Sequence, residues 1–268
     1  MLFAAAGLLF IHLTNLAPSS WPAASGVLFG AGILFIGYEG FGLVANTAED
    51  MADPRKLLPK ALYLSVITVI VLYVAVSVAV IGNLDIPAIV KAKDYALAEA
   101  ARPFLGNFGF RLIAIAALFS TASAINATLF GAANVSYTIA RDGELPPIFS
   151  MRIRRNAPGG LFITADVVIL FILFFDLSGV AMMGSGAFLL IYASVHAAHL
   201  RAAHETGGKT WIVGLSLATC LVMAAILSVY IYQHSMEAFV TMFVLIPVCL
   251  AAEWAYRRTT GRTIKTRA

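Results

Sequence analysis

Long apolar runs alternate with short polar clusters along the whole chain. With about 20 residues needed to cross a bilayer, the pattern predicts about eight membrane spans. They lie near residues 1–16, 26–47, 57–82, 108–140, 161–177, 180–201, 209–232 and 236–257. The connection "LAPSSWPAASG" (16–26) is rich in turn formers. The longer loop 85–109 is predicted to hold a short surface helix. The expected fold class is an all-α polytopic membrane protein. In this reading residues 1–257 form a single transmembrane domain and residues 258–268 a basic cytoplasmic tail. The apolar stretch 1–13 has no Lys or Arg ahead of it, which favours a short first span over a cleaved signal peptide.

Composition agrees. The chain is 60% hydrophobic and 12% charged, where soluble domains carry about 25% charge. Its mean hydropathy is +0.88. The net charge of +4 is not gathered into a long basic run before the end, so a nucleic-acid partner has no support. Cys220 and Cys249 both fall in apolar spans, where a thiol acts as a small hydrophobe. Of the 18 Lys and Arg, Lys91, Lys93, Arg102 and Arg111 lie on one side of the predicted spans. The rest cluster on the other side around Arg55, Arg154, Arg201 and Arg258. Lys and Arg accumulate in cytoplasmic loops, so both termini are expected inside a plasma or inner membrane.

The second predicted span contains the sharpest anomaly. Gly37, Gly40 and Gly42 surround Tyr38, Glu39 and Phe41. A charge at the bilayer centre costs roughly 2.5–3.5 kcal/mol, and glycine weakens a helix by about 1 kcal/mol relative to alanine. Two readings are open. The glycines permit close helix packing around a buried acid. Alternatively the helix is discontinuous and lines a cavity, where broken helices present backbone groups to small substrates. The residues favour the second. Downstream, in "NTAEDMADPRKLLPKAL" (46–62), Pro54 keeps Asp53 out of the helical region, and Pro59 suits the first turn of the next helix.

These residues carry a resemblance. The pattern of "GYEGF", Asn46, Glu49–Asp50, Pro54–Arg55 and Pro59 resembles the sixth helix and following cytoplasmic loop of amino acid permeases, in the amino acid–polyamine–organocation superfamily. A second stretch, "ALFSTASAINATLFGAANVSYTIARDGELPPIF" (117–149), resembles that family's eighth helix and its "ARDG-x-LP" loop. The resemblance is strong over 26–150 and weak after 160. It implies a transporter built of two five-helix repeats of opposite orientation. Residues 26–201 would correspond to the second repeat with its one broken helix, 209–257 to two further helices, and 1–16 to the end of the fifth helix. The first four helices, and the family's glycine-rich break in helix one, would have no counterpart in this chain.

The resemblance implies transport of amino acids or related amines, as a permease or antiporter, and no enzyme chemistry. Ile36, Gly37, Tyr38, Glu39, Gly40 and Phe41 are the implied substrate-binding residues. Glu39 would pair with a cationic substrate or exchange a proton. In sodium-coupled relatives, hydroxyls on the eighth helix help hold the ion, which makes Ser120, Thr121 and Ser123 weaker candidates. No cofactor or metal is expected, and the coupling ion, H+ or Na+, stays open. The partners expected are the lipid bilayer, the small-molecule substrate and a separate amino-terminal half. The alternative is a non-transporting remnant or assembly subunit of a membrane complex, with an intact helix over 26–47.

Other polar positions have plainer readings. His196, His199 and His204 lie at a cytoplasmic helix end, where polar tips reach the interface. "AHETGGKT" lacks the first glycine and the preceding strand of a phosphate loop. Asp166 and Asp176 are expected near opposite ends of their span, with Asp166 a weak candidate for a proton-linked acid.

Overall fold

The predicted second span is α-helical at both ends and interrupted between them. α2 (Ala24–Leu34) passes into a 3-10 segment, Phe35–Tyr38, then a turn at Glu39, before α3 (Gly40–Asn46) resumes. The computed structural model describes residues 2–18, 21–46, 48, 51–153, 157–203 and 207–260. Glu49 and Asp50, Arg154 and Arg155, His204 and the tail beyond Thr260 lie outside the described residues.

The described elements are α-helices joined by 3-10 segments and loops. α1 (Leu2–Leu9) precedes α2; α4 is Pro54–Asn83, α5 Ile86–Ala92, α6 Ala96–Glu99 and α7 Arg102–Arg141. α8 is Gly159–Phe174, α9 Leu177–Arg201, α10 Thr210–His234 and α11 Met236–Thr260. Among the described residues, six helical stretches are long and apolar enough to cross a membrane: Ala24–Gly42, α4, α7, α9, α10 and α11. This is the all-α polytopic architecture that the hydrophobic pattern implies.

Two predicted spans are shorter than expected. Residues 1–16 form α1 and a separate 3-10 turn, Leu13–Leu16. The 161–177 span forms α8, whose 16 residues reach about 24 Å against a hydrocarbon core of about 30 Å. The cause of the second is local. The backbone at Phe175 is extended (φ −128°, ψ 146°), and Asp176 accepts a hydrogen bond from the Gly179 amide through Oδ1 at 2.8 Å, so it caps α9. Asp166 consequently lies midway along α8 rather than near its end.

The proline expectations also shift. Pro54, not Pro59, opens α4 at its first turn, where a missing N–H costs nothing. Asp53 stays outside the helical region (φ −138°, ψ 81°), and its carbonyl accepts from Leu57 N at 2.9 Å. Pro59 lies inside the helix. The 85–109 loop holds the expected surface helix as α5, with α6 behind it, and α7 has already begun at Arg102 with a kink at Gly106 (φ 61°, ψ −155°). The "ARDG" motif ends α7. Gly143 takes a left-handed φ of 85°, its N–H donates to Ala140 O at 3.1 Å, and Glu144 N donates to Ile139 O at 2.9 Å. That pair is the Schellman closure, which favours glycine at this position.

The chain divides into two compact units. One comprises Met1–Pro22 and Tyr38–Thr128, the other Ala23–Gly37 and Leu129–Ala268. In the first, α1 lies against α4. Buried Asn83 donates through Nδ2 to Gly7 O at 2.9 Å and Ala79 O at 2.7 Å, and His12 N donates to Gly82 O at 2.8 Å. In the second, α9, α10 and α11 enclose a core of Met182, Met183, Leu189, Ala224, Leu227, Ile231, Ala238 and Met242. Ile33 and Phe35 pack against that core, and Gly32 brings α2 against Leu227.

Candidate functional site

The interruption at 35–39 is tight rather than unwound. A 3-10 segment winds to about 3.0 residues per turn against 3.6 for an α-helix, so the backbone is overwound through Phe35–Tyr38. α3 begins beyond it at Gly40, and its first turn carries a 3-10-type bond from Gly42 N to Glu39 O at 3.0 Å. The division between the two compact units falls at this segment, between Gly37 and Tyr38.

Upstream of that division, in the second unit, the segment is held by α9. The Ile36 N–H donates to Ser185 Oγ at 3.1 Å, and the Ser185 hydroxyl donates to Ile33 O at 2.7 Å. Ser185 is fully buried. The glycines on either side of it sit against two different neighbours. A Cβ on Gly184 would overlap the end of the Ile36 side chain, and one on Gly186 would overlap the Met242 sulfur. The Phe35 ring meets Tyr192 edge-on at 6.0 Å between centroids.

Downstream, in the first unit, α3 runs beside α4. The Tyr38 ring meets Tyr73 of α4 at 5.4 Å and 62°. Tyr38, Glu39 and Phe41 are half-buried, while Gly37 and Gly40 are exposed. One carboxylate oxygen of Glu39, Oε1, is closed off from solvent.

Of the residues expected from the sequence, Ile36 to Phe41 are contiguous at the break. Ser120, Thr121 and Ser123 lie on α7 with exposed side chains. His196 and His199 lie near the end of α9, where a basic side chain suits the helix dipole. Sequence reasoning missed Ser185, Tyr73 and Tyr192. The signal for Ser185 was the triplet Gly184–Ser185–Gly186 in the middle of an apolar span.

Residues 1–251 match the family described as amino acid permease. The chain belongs to the amino acid permease family. Similar proteins agree. An uncharacterized protein of Methanocaldococcus jannaschii is 41% identical over 98% of this chain and 60% of its own length. The inner membrane transport protein YbaT of Escherichia coli is 31% identical over 80% of this chain and 49% of its own length. The chloroplastic cationic amino acid transporter 9 of Arabidopsis thaliana is 32% identical over 54% of this chain and 25% of its own length. The chain therefore spans between 25% and 60% of the length of these relatives. Family membership and six long apolar helices make this amino acid permease chain a multi-pass membrane protein of a transporter family.

Proposed function

We propose that the chain takes part in secondary active transport of amino acids or related amines, with Ile36–Phe41 as the protein's side of the substrate path. The observation that carries the reading is the interruption of a membrane-crossing helix at Phe35–Glu39. Broken helices near the midplane are where secondary transporters bind substrate, and irregular backbone at that depth persists where it lines a cavity or is buried in protein. An assembly subunit without transport would need no such break.

The roles follow from side-chain chemistry. Gly37 and Gly40 leave room beside the backbone. Tyr38 and Phe41 wall the path or gate it. Glu39 pairs with a cationic group on the substrate or exchanges a proton with it; three of the matched relatives are named cationic amino acid transporters, which favours the first role. The coupling ion is H+ or Na+, and Ser120, Thr121 and Ser123 are the positions that would serve a sodium ion. Residues 26–201 act as the second five-helix repeat, with 209–257 as two additional helices. Both termini face the cytoplasm of a plasma or inner membrane.

Alternating access moves one set of helices against another around the site. Transport then needs a counterpart to the family's first helices, carried on the same polypeptide or supplied separately. Radiolabelled amino acid uptake into liposomes tests this. Residues 1–268 alone should show no saturable, gradient-driven uptake. The same residues joined to the amino-terminal part of the Methanocaldococcus relative should show it. Saturable uptake by 1–268 alone would remove the need for a second half.

A further inference from the structure

We propose that Ser185 is the positioning residue that keeps the helix break open. Its role in transport rests on the reading of 36–41 as the substrate segment; its local effect rests on geometry alone.

An α-helix joins each N–H to the carbonyl four residues back. At the break, the Ser185 hydroxyl stands in that ladder. It receives the Ile36 N–H at 3.1 Å and donates to Ile33 O at 2.7 Å. One hydroxyl can do both, because it is a donor and an acceptor together. Insertion of a side chain into the ladder is one of the few causes of a sharp helix interruption.

Proline and left-handed glycine do not account for the interruption. Phe35, Ile36, Gly37 and Tyr38 include no proline. Gly37 and Gly40 are not among the positive-φ glycines of the described residues, which are Gly106, Gly143 and Gly207. Gly37 and Gly40 weaken the helix here, and the Ser185 bridge sets the point at which it gives way.

Ser185 also departs from the habit of helical serines in this chain. Ser194, Ser216 and Ser228 each donate to the carbonyl four residues back on their own helix, at 2.9, 3.0 and 2.7 Å. Ser185 instead reaches a segment 149 residues away in sequence. Its complete burial shields the bridge from exchange with water. Gly184 brings α9 close to Ile36, within reach of a side chain as short as serine. The bridge fixes the backbone at Ile33 and Ile36, where α2 gives way to the 3-10 segment.

Amide hydrogen exchange of the purified 268-residue chain in lipid nanodiscs, read on peptides covering 33–39, tests the proposal. Ser185→Ala removes the bridge and lets Ile36 and Gly37 return to the α-helical ladder. Exchange across 33–39 should slow, because α-helical bonds replace the poorer hydrogen-bond geometry of the 3-10 segment. Ser185→Cys keeps nearly the same volume with a weak donor, so it should fold even if the alanine variant does not, and it should slow exchange in the same direction. A residue that merely supported packing would give faster exchange when lost, the opposite sign. Unchanged or faster exchange at 33–39 in either folded variant overturns the proposal. Slowed exchange with uptake intact in the joined, full-length form leaves Ser185 as the holder of the break and removes 36–41 as the substrate segment.

Discussion

The Ser185 oxygen lies 3.1 Å from the Ile36 nitrogen and 2.7 Å from the Ile33 carbonyl oxygen. A hydroxyl on α9 thus takes part in the backbone hydrogen bonding of α2. The two half-helices on either side of the break are held differently. Phe35 and Ile33 sit on the α9–α10–α11 core of one unit, while Tyr38 meets Tyr73 in the other.

The Lys/Arg asymmetry predicts the topology. Cysteines placed singly at Arg55 and Arg258, with Cys220 and Cys249 replaced, should be shielded from an impermeant thiol reagent added outside intact cells. Cysteines at Lys91 and Lys93 should react. The reverse pattern would invert the assigned orientation and with it the direction in which the broken helix runs.

Close approach sets a second expectation. A Cβ at Gly159 would run into the Ile148 carbonyl oxygen, which is backbone and cannot swing away, whereas one at Gly214 meets nothing within 4 Å. Gly159→Ala should destabilise the protein by about 1–3 kcal/mol, the range for overpacking. Gly214→Ala should be neutral or stabilise by up to about 1 kcal/mol, because glycine is the poorer helix former. Thermal unfolding in detergent compares them; equal midpoints would contradict the packing at the start of α8.

Helix ends give a third. Asp176→Ala removes the acceptor for Gly179 N and should cost about 0.5–2 kcal/mol, with Asp176→Asn recovering most of it. Gly143→Ala places a Cβ at a φ of 85° and should cost about 1–2 kcal/mol. Denaturation of the purified variants reads both, and an unaffected Gly143→Ala would argue against the Schellman closure of α7.

Much of this was legible in the chain. Glycines at 37, 40 and 42 around Glu39 located the interruption, because glycine and a charge are each costly in a membrane helix and have no reason to coincide without a use. Hydrophobic run lengths located the six long spans. The length of α8 was not legible: hydropathy counts Phe175 as apolar, but the Asp176 cap stops one helix and starts another there. Pro54 and Pro59 both satisfied the sequence rule for a helix start, and only the backbone separates them. Ser185 was hidden for a different reason. Periodicity reports which face of a helix is apolar, not which residue 149 positions away a hydroxyl will meet. A serine between two glycines reads as ordinary close packing until the facing backbone is known.

The most direct measurement is saturable uptake of radiolabelled amino acids into liposomes by the full-length joined form, with and without the paired change Gly37→Leu and Glu39→Gln. Leucine fills the opening beside the 3-10 segment and favours a continuous helix; glutamine removes the charge while keeping the shape. If Ile36–Phe41 is the substrate segment, the paired variant should fold and insert normally yet lose uptake, with Glu39→Gln alone altering its rate or its dependence on pH. Uptake by the folded paired variant equal to that of the unmodified protein would contradict the assignment of the site.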